Sequence, residues 1–153
     1  MTPREFAVAL ILPALLVFAP RPASAQFAVI VHRTNPIDSL SLEDLRRLYL
    51  GRTTTFKNQE RIDLLEFTPG RKGFYRTALG MSEDQVRRHW VAVVFSGEPG
   101  TAPSEMETAE EVRSFVATHA AAIGFLPVAF ANETVKILVI NGFRPSQAGY
   151  PLR

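Results

Sequence analysis

The chain contains no cysteine, and only one tryptophan, three tyrosines and three histidines among its 153 residues. Without thiols it forms no disulfide and no thiolate-ligated metal site, so a folded domain must rest on its core alone. His32, His89 and His119 fall on three separate predicted elements, without the spacing that gathers metal ligands. Neither sign of charge prevails: 17 Lys and Arg stand against 15 Asp and Glu. That balance speaks against broad electrostatic binding of nucleic acid. Catalytic motifs are missing too. There is no G-x-S-x-G elbow, no Walker loop and no dinucleotide-binding glycine pattern. Phe115, Phe125 and Phe130 are not interleaved with a basic stripe and read as core rather than as a stacking platform. No metal, no organic cofactor and no enzymatic activity are expected.

What is present begins with a leader. Residues Phe6 to Phe18 form a nearly unbroken apolar run preceded by Arg4, and the stretch Pro20 to Ala25 ends in an A-x-A pattern. This predicts a secretory signal peptide over 1–25, cleaved after Ala25, and hence a periplasmic location. The run is short for a membrane span; an uncleaved anchor is the alternative. Removing Arg4, Arg21 and Glu5 with the leader turns 17 and 15 charges into 15 and 14, a mature net charge of +1. The remaining residues 26–153 suit a single domain.

Within 26–153 the elements alternate. Phe27 to His32 reads as a strand, and Asn35-Pro36 as a turn. Ser41 caps a helix with Leu42, Leu45 and Leu48 on its buried stripe, closed by Gly51. Residues 61–67 form a second strand. Ser82-Glu83-Asp84-Gln85 opens a helix whose buried face is Val86, Trp90, Val93 and Val94, with Arg87, Arg88 and His89 on its solvated side. Residues 95–104 contain two Gly and two Pro and read as a loop. Thr108 to Glu111 begins another helix, with Val112, Phe115 and Val116 inward. Strands follow at 122–127 and 135–140, and an irregular tail at 143–153. Gly124 predicts close approach of another backbone. The order β–α–β–α–α–α–β–β gives an α/β fold, a sheet flanked by helices.

The stretch Glu66 to Tyr75 carries the one chemical signal. A strand runs into Thr68-Pro69-Gly70, and Phe74/Ala78 and Tyr75/Leu79 then pair at helical spacing up to Gly80. Thr68 is placed to cap the helix, with Pro69 at its first position. Free N–H groups and the positive dipole end suit an anion there. Arg71 and Lys72 add cations where acidic residues would favour the helix. Thr68, Gly70, Arg71 and Lys72 are therefore the candidate oxyanion-binding residues. A capped helix with solvated basic residues is the simpler reading of the same residues.

The pattern Asn35-Pro36, Leu42 to Leu48 and Tyr49-Leu50-Gly51 resembles an element of phosphate ABC transporter substrate-binding proteins, the type 2 periplasmic binding proteins. The resemblance continues at Trp90, at Phe95-Ser96-Gly97, at Ala121 to Phe125 and at Val135 to Gly142, spanning residues 28–143. It implies a periplasmic-binding-protein-like fold, a single lobe where full-length members have two, and inorganic phosphate or a similar oxyanion as ligand. In that family an anion loop reads Ser-Gly-Thr at a helix start. The matching positions here are Thr68, Pro69 and Gly70, so one hydroxyl is kept, while one N–H and the second hydroxyl are lost. The family's upstream arginine falls at Leu64.

Two functions follow. One is an oxyanion-binding module with its site at 68–71. The other is a ligand-free periplasmic interaction module serving a sensor, transporter or envelope complex, with loop 96–104 and tail 143–153 as contact surfaces. Convergence of the Gly70 and Arg71 N–H groups with the Arg71 side chain on an open pocket would favour the first. An Arg71 paired with Glu66 would favour the second.

Overall fold

The computed structural model describes residues 26–57 and 60–153; the predicted signal peptide lies outside them. A five-stranded mixed sheet runs in the order β4-β3-β5-β1-β6. Its strands are β1 (Phe27–His32), β3 (Asp63–Phe67), β4 (Ser104–Met106), β5 (Ala122–Pro127) and β6 (Val135–Ile137). β1 lies antiparallel between β5 and β6, whereas β3 is parallel to both β5 and β4. A small parallel pair, β2 (Ser39–Leu40) with β7 (Val139–Ile140), stands apart.

Both faces of the sheet are covered. Phe27, Val29 and Val31 point to one side with Ile123 and Phe125, and Ala28 and Ile30 to the other with Ala122 and Leu126. This is the two-residue period of a strand buried on both sides, which is why β1 reads as a continuous apolar run. The first face receives α1 (Leu42–Tyr49), α2 (Arg71–Phe74) and α3 (Glu83–Ser96). At its centre Phe74 stacks on Phe125 with centroids 3.7 Å apart, and Phe27 and Tyr49 meet the edges of that pair. The second face receives α4 (Ala109–Thr118) through Val112 and Val116. Gly124 makes this packing possible, because a Cβ there would lie 2.9 Å from Val112 Cγ1. What approaches Gly124 is thus side chain, not the backbone expected from the sequence.

The capping signals at Ser41, Ser82 and Thr108 hold. Ser41 accepts from the Asp44 N–H, and full capping boxes form at Ser82 with Gln85 and at Thr108 with Glu111. The helix ahead of Gly80 is mixed: α2 passes into a π-helical turn, Tyr75–Leu79, which Gly80 closes at φ 66° with its N–H on the Tyr75 carbonyl.

Several expectations need correction. α3 runs on to Ser96, so Phe95 and Ser96 are helical rather than loop. Val94 is 72% exposed and Phe95 87%, so Val94 is not part of the buried face. The helical period explains this: Val94 lies about 80° round from Val86 and Phe95 about 180°. Residues 104–106 form an edge strand, β4, hidden in sequence by the preceding Gly and Pro. The strand at 135–140 is broken at Leu138, whose side chain is fully buried. Phe125 is core as expected, Phe115 is half-buried against His119, and Phe130 is exposed.

The tail is not a free end. Tyr150 and Leu152 are buried. The Phe27 N–H donates to the Leu152 carbonyl at 2.9 Å, and the Tyr150 hydroxyl donates to the Phe27 carbonyl at 2.7 Å. Replacing Leu152 with alanine therefore deletes core volume. Leu152→Ala is expected to cost about 2–4 kcal/mol in a urea unfolding experiment; a loss under about 0.5 kcal/mol would mean the tail is not docked.

Candidate functional site

The turn after β3 is built differently from the predicted helix cap. Thr68–Gly70 is a 3-10 turn capped by Phe67 without a side-chain bond, and Thr68 does not cap. The Thr68 Oγ1 atom is instead buried with no hydrogen-bond partner among the described residues. The Arg71 N–H donates to the Thr68 carbonyl, which removes it as a donor to a ligand. Pro69 contributes none. Gly70 is required by packing, since a Cβ there would lie 2.7 Å from Phe67 Cδ1 and 2.8 Å from Phe27 Cε1. Lys72 is exposed and lines a second depression with Arg76, Ser82 and Asp84, which shares only Glu83 with the cavity that Arg71 lines. The four expected residues are thus neighbours in sequence that face different surroundings.

Arg71 is the centre of the site, and its partners are acidic. Its Nε donates to Glu83 Oε1 at 2.8 Å; Nη1 donates to Glu66 Oε1 at 3.0 Å and to Glu105 Oε1 at 3.3 Å. Glu66 is only 5% exposed. β3 and β4 pair in parallel with Glu66 opposite Glu105, so two carboxylates sit side by side across the sheet edge. Like charges in that position repel, and the guanidinium that bridges them relieves the repulsion. The other oxygen of Glu66, Oε2, accepts from the Tyr75 hydroxyl. The π-helical turn that carries Tyr75 therefore delivers a donor to a buried carboxylate. Hydrogen bonds to Glu83 and Glu66 push the Arg71 pKa still higher, outweighing the effect of burial. Burial first, and then the bond to Glu66, hold the Tyr75 hydroxyl far above the ordinary phenol range.

Beside this cluster opens a cavity of about 440 Å³. Glu66, Arg71, Tyr75, Glu83 and Glu105 form one end, and α3 with the segment before β4 forms the rest. Trp90 lines it and is 7% exposed; its benzo edge rests on Gly51 and Gly100, and its Nε1 has no acceptor among the described residues. No metal-binding group of acidic, histidine or cysteine side chains occurs among the described residues. His89 donates from Nε2 to the Leu50 carbonyl at 2.9 Å, and His32 and His119 bond locally. Sequence reasoning missed Glu83, Glu105 and Tyr75 as site residues. Glu66 offered the one legible signal, an acid ending a run of apolar strand residues.

Two expectations follow from this geometry. Arg71→Ala leaves Glu66 buried without its counter-charge and is expected to cost about 2–4 kcal/mol, somewhat less than a fully buried pair because Arg71 keeps some solvent. Glu66→Gln added to Arg71→Ala should recover much of that loss in a double-mutant cycle; additive losses would show the pair is not coupled. The second concerns pH. All three tyrosines of the chain, Tyr49, Tyr75 and Tyr150, are buried and hydrogen-bonded, with pKa values raised chiefly by burial. The fold favours the neutral phenol, so stability is unaffected below about pH 10 and falls above it as unfolded tyrosines ionise. Absorbance at 295 nm, a wavelength that reports tyrosinate, should rise only together with loss of the native circular dichroism. A tyrosine titrating near its ordinary value in the folded protein would contradict the burial.

No protein-family model matches the chain. Solved structures do. An ABC-type phosphate transport receptor from Vibrio cholerae superposes with a TM-score of 0.66 at 17% identity, covering 83% of this chain and 53% of that one. A Clostridium perfringens protein solved with bound phosphate gives 0.64 at 19% identity, covering 78% and 46%. PstS from Borrelia burgdorferi gives 0.63 at 12% identity, covering 79% and 49%. The chain spans about half the length of these proteins. A central sheet flanked by helices in this arrangement is the fold of the PstS-like phosphate ABC transporter substrate-binding proteins, and this chain has it over about half of their length.

Proposed function

We propose that residues 26–153 are an exported, single-lobe periplasmic-binding-protein-like domain that works as an interaction module for a membrane or envelope partner. The observation that carries this reading is the engagement of Arg71 by Glu66, Glu83 and Glu105. An oxyanion approaching Arg71 meets three carboxylates for one guanidinium. Both Pro69 and Arg71 are lost to it as backbone donors. Coulomb repulsion at such short range exceeds what a shared cation returns. Export rests on the leader-like sequence of residues 1–25. The named solved structures are transport or binding proteins, which accords with a non-enzymatic role.

Oxyanion binding at Thr68, Gly70, Arg71 and Lys72 is the second reading. Two observations favour it: the partnerless Thr68 hydroxyl and the likeness to a fold solved with phosphate. Calorimetry of the purified protein with inorganic phosphate at low salt separates the two. The interaction reading expects no saturable heat, or binding weaker than about 1 mM. Tighter saturable binding that is lost in Lys72→Ala and Thr68→Val, two variants that spare the Arg71 ion pairs, would overturn it in favour of an oxyanion site.

A further inference from the structure

The cavity beside Arg71 opens onto the outer face of α3, where Val91 is 51% exposed, Val94 72% and Phe95 87%. Large apolar side chains this exposed on one stretch of helix mark a contact surface. The far wall is Ala102 and Pro103, and beyond them lies β4 with Glu105. Charge at the Arg71 end is unbalanced. Glu66 is saturated by Arg71 and Tyr75. Glu83 and Glu105 each give Arg71 a single oxygen, Oε1, and their Oε2 atoms accept nothing among the described residues. Their side chains are 39% and 63% exposed, so both remain reachable. Arg87 also reaches the cavity, but it is paired with Asp84 at 2.7 Å. Three carboxylates around one guanidinium leave an excess of negative charge beside an aromatic and aliphatic wall.

We propose that this cavity receives a lysine or arginine side chain from an apolar segment of a partner protein. Its cation is held by Glu83 and Glu105, and its apolar neighbours lie on Val91, Val94 and Phe95. This rests on the interaction reading above and adds the chemistry of the partner. The complement is specific: an acidic segment is repelled by the carboxylates, and a neutral one leaves their free oxygens without a donor. Phe95 adds an exposed aromatic ring, which attracts an organic cation more than a neutral group.

The test uses the single tryptophan as reporter. The purified protein is titrated, following Trp90 fluorescence, with a capped peptide holding one arginine between pairs of leucine and valine. The same peptide with glutamine in place of arginine is the control. The arginine peptide should bind saturably, about tenfold tighter than the glutamine peptide, and weaken about tenfold in Glu83→Gln/Glu105→Gln and in high salt. Phe95→Ser should weaken both peptides without unfolding the protein, checked by circular dichroism. Equal binding of the two peptides, lost in Phe95→Ser, would overturn the cation while leaving an interaction face standing. Binding of neither peptide would overturn the inference. Saturable phosphate binding in the same preparation would overturn the interaction reading itself. A dimer in sedimentation that Phe95→Ser dissolves would make a second copy the occupant, and would likewise overturn the proposal.

Discussion

The site depends on how a buried carboxylate is paired at a sheet edge. Glu66 is 5% exposed and lies in register with Glu105 on the neighbouring strand. Neither strand alone supplies a counter-charge. It comes from the turn that follows β3, where the chain reverses and brings Arg71 back over both acids. Tyr75, one helical turn later, takes the remaining oxygen. The short 3-10 turn, α2 and the start of the π-helical turn thus bring to the edge of the sheet the cation and the hydroxyl that it needs. The same residues that resemble an anion loop in sequence serve in this fold to neutralise the protein's own anions.

That reversal explains the uneven legibility of the sequence. Local signals carried their information. Ser82 with Gln85 and Thr108 with Glu111 cap helices where expected, and Gly80 ends a helix at positive φ. β1 and β5 were readable because burial on both faces leaves an apolar run without alternation. The candidate site was legible only in part. Arg71 is legible as a cation at a helix start, but its meaning depends on Glu83 and Glu105, the second of them 34 positions away. No local pattern encodes that convergence. It follows from the pairing of β4 with β3, and β4 is three residues long. The exposure of Val94 was hidden by a smaller effect: an apolar residue one position past the buried stripe reads as core until the helix phase is fixed by Trp90 and Val93.

Similarity of fold and similarity of site part company here. The superposition with phosphate-transport proteins covers most of this chain, at identities below 20%. A shared scaffold constrains where a turn sits, not which charges line it. The turn keeps a hydroxyl at Thr68, yet that hydroxyl is buried, Pro69 has no N–H to offer, and the Arg71 N–H is engaged by the Thr68 carbonyl.

The strand order also governs when the domain can form. β1 sits between β5 and β6, and its first residue is tied to Leu152. Every ladder that β1 joins is therefore with the last third of the chain. Emerging N-terminus first from a ribosome, β1 has neither of its two neighbouring strands until residue 122 follows. Contacts this distant in sequence nucleate slowly. The architecture therefore couples completion of the sheet to the arrival of β5 and β6.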